Sequence, residues 1–101
     1  MDRVAFAQPM LERSLAIREK AIGPYHPEIS ANLLNLSSLF FAKRDFAKAL
    51  DFSKRALNMD EKIFPPEHPR LQSSAQATAT VLEALWQTAD AIALRKKFKL
   101  L

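Results

Sequence analysis

The residues best suited to chemistry in this chain are two histidines. His26 lies in GPYHPEIS (23–30) and His68 in PPEHPRLQ (65–72), each followed by proline and each close to a glutamate. An imidazole beside a carboxylate can ligate a metal or pass a proton. Either role needs the groups to converge on one point. The two histidines stand far apart in the chain but in matching surroundings, no cysteine exists to help them, and Glu28 of the first copy is Arg70 in the second. That pattern predicts equivalent loops held apart rather than one site, so no metal is expected. Each His-Pro pair instead closes a loop and opens a helix, with Pro27 and Pro69 in the first turn, where a missing N–H costs nothing. Gly23-Pro24 lacks the glycine-lysine continuation of a phosphate loop and reads as a helix stop and turn. Neither a Ser-His-Asp arrangement nor a supported pair of acids is present. The expectation is a chain with no catalytic residue and no cofactor.

The elements that hold these loops follow from composition and periodicity. The chain has 101 residues, 49% of them hydrophobic and 26% charged, which suits one globular domain. Without cysteine it has no disulfide framework, a composition that fits a cytoplasmic, intracellular protein. No apolar run nears the roughly 20 residues needed to span a bilayer, and the start, MDRVAFAQPMLERSL, lacks the apolar core of a signal peptide. The net charge of +4 collects near the end, in LRKKFKLL. Arg95, Lys96, Lys97 and Lys99 there suit a solvated helix end, or a contact with nucleic acid or an anionic surface.

A single shift of the sequence, the one that carries Arg13 onto Arg55, lays RSLAIREKAIGPYHP (13–27) over RALNMDEKIFPPEHP (55–69) and His26 over His68. The same shift aligns Ala5, Ala47 and Ala89, and also Ala7, Ala49 and Ala91. Each unit reads as a helix pair. Ile29, Leu33, Leu36 and Phe40 make one helical stripe. Asp45 is placed to cap the next helix, whose apolar face carries Phe46, Ala49, Leu50, Ala56 and Leu57 before Pro65-Pro66 ends it. Leu34, Phe41, Phe52 and Met59 form a second apolar set, as expected of helices stacked on both sides. No segment alternates with period two, so no sheet is expected. Residues 70–97 lack Gly, Pro and, before Ala89, Asn or Asp, and propensity alone allows one long helix. The repeat register favours a break near Trp86, whose ring is expected to fill the local core, with a partner anchor as the alternative.

The segment LLNLSSLFFAKRDFAKALDFSKRALNMDEKIFPPEHP (33–69) resembles the tetratricopeptide repeats of the kinesin light chain type. The leucine-asparagine-x-leucine run, the aromatic on each side of a short turn, the alanine-leucine helix and the terminal His-Pro carry the likeness. The period, about 42 residues, also suits this subclass better than the standard repeat of about 34. The resemblance implies an all-α fold of antiparallel helix-turn-helix repeats stacked as a short right-handed solenoid. It implies one domain over 1–101: a second helix of a partial repeat (2–22), a complete repeat (27–63) and a degenerate one (69–101).

It also implies a function. First helices of such repeats line a surface that holds an extended peptide; here they would present Leu34, Asn35, Ser38 and Phe41, then Gln76, Thr80 and Glu83. Leu34 and Phe41 fit packing on a neighbouring helix equally well. The expected role is a non-catalytic scaffold or adaptor binding a peptide or helix of a partner protein. The alternative is a structural subunit or self-associating fragment of a larger assembly, and nucleic-acid or anionic-surface binding by the basic C-terminus stands third.

Overall fold

The structure, a computed structural model, describes the backbone of residues 3–22 and 26–100 and the side chains of residues 8–17 and 26–100. Gly23, Pro24 and Tyr25, where the sequence predicts a helix stop and turn, lie outside the described residues, as do residues 1, 2 and 101. Among the described residues there are five α-helices and no strand: α1 (Arg3–Ile22), α2 (Pro27–Ala42), α3 (Phe46–Ile63), α4 (Pro69–Ala84) and α5 (Thr88–Lys97). Each helix packs on the next in chain order, and α2 also meets α4 across the stack.

The apolar stripes decide the packing. Ile29, Leu33 and Leu36 are fully buried and Phe40 nearly so, and with Leu15, Ala49, Ala56 and Val81 they form the largest core cluster. Leu34, Phe41, Phe52 and Met59 are partly buried against it, so the second apolar set serves the stacking of neighbouring helices. Burying a side chain of this size stabilises by about 1.5–3 kcal/mol. A second cluster joins Leu57, Leu71, Ala75 and Phe98, and a third joins Ala79, Leu82 and Ala91.

Both proline-started helices begin where the His-Pro pairs lie. The Nδ1 of His26 accepts the Glu28 N–H at 3.1 Å, and the Nδ1 of His68 accepts the Arg70 N–H at 3.1 Å. Each imidazole therefore satisfies one of the N–H groups a helix start leaves unpaired. Asp45 caps α3 through an acceptor bond from the Lys48 N–H at 3.2 Å.

The chain breaks between α4 and α5 at Trp86. Its φ is 62°, the same as at Arg44, its counterpart between α2 and α3 in the preceding repeat. The backbone bonds match too. Arg44 and Asp45 donate to Phe41 and Phe40 at 3.0 and 2.9 Å, and Trp86 and Gln87 donate to Glu83 and Leu82 at 3.0 and 2.9 Å. This is the pairing in which a left-handed residue ends a helix and satisfies its last carbonyls. The expected burial of the Trp86 ring is overturned: it is 91% exposed. The turn fixes which way this residue points, and that direction is outward.

Candidate functional site

The His-Pro loops form a joint. The Phe64 ring stacks on His68 at 4.1 Å between centroids, and the Arg70 guanidinium lies 5.6 Å from the Phe64 ring. Arg70 Nη2 donates to the Pro27 carbonyl at 2.9 Å. The residue that replaces Glu28 in the second copy thus ties the start of α4 to the start of α2. Among the described residues, no group of three or more His, Asp or Glu side chains could hold a metal ion, and no helix is long and apolar enough to cross a membrane.

The expected binding residues lie on α2 and α4. Ser38, Phe41 and Thr80 come together with Ser37, Ala77 and Val81 around an open cavity of about 230 Å³. A shallower cavity of about 580 Å³ adjoins it, lined by Gln76 and Thr80 with Pro69, Gln72, Ser73 and Leu100. Asn35 is exposed on α2 and lines neither of these cavities. Leu34 and Phe41 are half-buried on the core, and Phe41 meets Phe46 edge-on at 5.1 Å.

Glu83 is engaged within the molecule. Arg95, reaching from α5, donates Nη2 to Glu83 Oε1 at 2.5 Å and Nε to Gln76 Oε1 at 3.1 Å. This bond to Arg95 holds the Glu83 carboxyl below the usual carboxylate range and raises the Arg95 guanidinium. Lys97 lies 3.8 Å from Glu61. Of the four basic residues of the C-terminal cluster, Arg95 and Lys97 therefore have acidic partners in the fold, while Lys96 and Lys99 are exposed.

Sequence reasoning did not single out Ala77, Ser37 or Val81. Ala77 is small, and it leaves space between α2 and α4 where a larger residue would close the cavity. Ser37 is buried and donates its Oγ to the Ala49 carbonyl at 2.8 Å, so it is a strut beneath the face. Asp60 also escaped it; this carboxylate is fully buried and accepts a bond from the Ser74 hydroxyl. That contact sits between α3 and α4, away from the α2–α4 face.

A family model described as tetratricopeptide repeat matches residues 1–62. Among solved structures, the nearly identical TPR-like repeats assigned to a kinesin light chain of Podosopora anserina superpose with a TM-score of 0.85 at 24% identity, over 95% of this chain and 46% of that one. A single-substitution form of those repeats also has a TM-score of 0.85 and 24% identity, over 95% of this chain and 45% of that one. At that identity the likeness concerns the fold, and the chain spans less than half the length of either structure. Among curated proteins none matches.

Proposed function

The chain belongs to the tetratricopeptide repeat family, whose repeats mediate contacts between proteins, and on that premise we propose that it is a non-catalytic interaction module that holds an extended peptide of a partner protein on the α2–α4 face. The observation that carries this reading is the cavity between the two first helices. It joins the apolar edge of Phe41 to the hydroxyl side chains of Ser38 and Thr80, and the exposed amide of Gln76 lines the adjoining cavity. An apolar pocket with a few convergent hydrogen-bonding groups is what a peptide side chain and its adjoining backbone require.

The charge of the face sets the class of peptide. Among the described residues that line its two cavities none is charged, and Glu83 of α4 is paired with Arg95. Lys48, Lys54 and Arg55 are on α3, away from this face. A largely uncharged segment with a medium-sized apolar side chain fits better than an acidic motif. We place the module in the cytoplasm on the same family grounds, as a single domain whose units are α1, the pair α2–α3 and the pair α4–α5.

Leu34 and Phe41 support the core, so polar replacements there would test stability as well as capture. The cleaner test uses Ser38→Arg and Thr80→Arg, both at exposed positions. Each should abolish capture of a peptide selected on the wild-type chain while leaving the far-UV circular dichroism unchanged. Undiminished capture by both variants contradicts the assignment of this face.

A further inference from the structure

On the opposite side of the stack, α3 and α5 leave a cleft above α4 with a cavity of about 390 Å³. Leu57, Leu82 and Leu94 give it an apolar wall, Thr78 is buried beneath it, and the exposed Lys54, Asp90 and Lys97 are its charged lining. The repeat register says what is missing from it. Leu82 and Leu94 occupy the positions that Phe40 and Phe52 hold in the preceding repeat. Those two rings stack at 5.5 Å with an interplanar angle of 8°, and fill the matching place between α2 and α3. Cations sit over them: Lys43 and Lys48 at 5.5 and 5.3 Å from the Phe40 ring and Arg55 at 5.6 Å from the Phe52 ring. In the second unit these three become Leu85, Asp90 and Lys97, so one cation is kept while both rings are lost, and Lys97 lies 5.4 Å from the Phe98 ring. Thr78 likewise replaces Leu36. The cavity is the space of an aromatic pair, with Lys97 kept and Asp90 where Lys48 stands in the preceding repeat.

A cavity of about 150 Å³ is enough for benzene, so the larger space here accommodates an indole. A Lys ammonium favours the face of an indole over that of other rings. The same chain presents such a group. Trp86 is 91% exposed and precedes Gln87, which lines the cavity. Donor ring and accepting cavity therefore share one edge of the molecule. An isologous contact, in which the same patch serves both copies, would exchange them.

We infer that the α3–α5 cavity is an indole-accepting site, and that its occupant is Trp86 of a second copy of this chain. The contact is reciprocal and lies on the face opposite to the proposed peptide surface, so the dimer leaves both peptide faces open.

Trp86 is the only tryptophan and reports on its own burial. As the wild-type chain is raised from micromolar to millimolar concentration, its emission should move to the blue while sedimentation shows a monomer becoming a dimer. The Leu82→Phe/Leu94→Phe chain, which restores the aromatic pair, should keep solvent-exposed emission and stay monomeric. Leu94→Phe alone serves if the double variant does not fold. Mixing the Phe-filled chain with Trp86→Ala, which has an open cavity and no indole, should recover the blue shift. A wild-type chain that stays monomeric with unshifted emission overturns the inference, as does a Phe-filled chain that still shifts with concentration. N-acetyl-tryptophanamide should compete with the dimer. If it instead binds the cavity of Trp86→Ala while the wild type remains a monomer, the occupant is a partner protein's side chain and the second-copy assignment falls.

Discussion

Replacing Trp86 with glycine should stabilise the chain relative to replacing it with alanine, and the sign of that difference tests the turn that separates α4 from α5. Trp86 has a φ of 62° and a ring that is 91% exposed, so removing the ring forfeits almost no burial. An L-residue in the left-handed region costs roughly 1–2 kcal/mol, a cost alanine keeps and glycine lacks. Glycine gives back about 0.5–1 kcal/mol through the larger freedom it has in the unfolded chain. The net expectation is that Trp86→Gly exceeds Trp86→Ala by about 0.5–1 kcal/mol. In a domain of this size that is a rise in Tm of roughly 2–8 °C. Thermal unfolding followed by far-UV circular dichroism, at a low concentration where copies are apart, measures it. If residues 70–97 formed one continuous helix, glycine in its interior would cost about 1 kcal/mol against alanine, and the order would invert. A Trp86→Gly chain that melts below Trp86→Ala therefore refutes the break. A loss of several kcal/mol in both variants would refute the exposed ring.

Other perturbations probe the joints and the interior. His68→Ala removes the acceptor for the Arg70 N–H and the stack on Phe64, and should lower stability by about 1–2 kcal/mol in chemical denaturation; His26→Ala, which loses a cap bond alone, should cost about 1 kcal/mol. Ser74→Ala strips the buried Asp60 of its hydroxyl donor and should cost about 1–3 kcal/mol, whereas Ser73→Ala on the exposed side of α4 should be nearly silent. Because Arg95 holds the folded-state pKa of Glu83 below its unfolded value, that pair stabilises the fold above the unfolded carboxylate pKa, and the gain is lost as pH falls through the lower folded value. The stability gap between wild type and Glu83→Gln should therefore close on acidification, as read from urea midpoints across the acid range.

Much of the architecture is legible in the sequence because the determining signals are local and repeated. The stripe Ile29, Leu33, Leu36, Phe40 specifies the buried face of α2 by spacing alone, and the His-Pro pairs mark two helix starts. The repeat register places the break at Trp86 although no helix-breaking residue stands there. What composition obscures is direction. A lone tryptophan suggests core by residue type, but the left-handed turn it occupies aims it at solvent, as it aims Arg44. Histidine is not among the usual capping residues, so the Nδ1 bonds of His26 and His68 carry no sequence signature. Asp60, inside the polar run NMDEK, gives no sign that it is buried; its place opposite Ser74 depends on how α4 docks on α3.

The candidate site is legible in part, for a related reason. Asn35, Ser38, Phe41, Gln76 and Thr80 are what the resemblance to the repeat family implies, and Ser38, Phe41 and Thr80 line one cavity. Glu83 is implied in the same way, but its engagement by Arg95 depends on a long side chain reaching from α5, a contact between elements that periodicity does not encode. The α3–α5 cavity has its trace in the aligned columns Leu36/Thr78, Phe40/Leu82 and Phe52/Leu94. That trace acquires meaning only when the first column set is seen to be a filled, stacked pair.

Whether the α2–α4 face holds a partner peptide can be read from backbone amide shifts, mapped as the isotope-labelled chain is titrated with a peptide selected on it from a random library. Saturable shifts should cluster at Asn35, Ser38, Phe41, Ala77 and Thr80, and should be absent in Ser38→Arg. Shifts confined to Leu57, Leu82 and Leu94 on the opposite side, or unchanged in Ser38→Arg, would show that the peptide binds elsewhere.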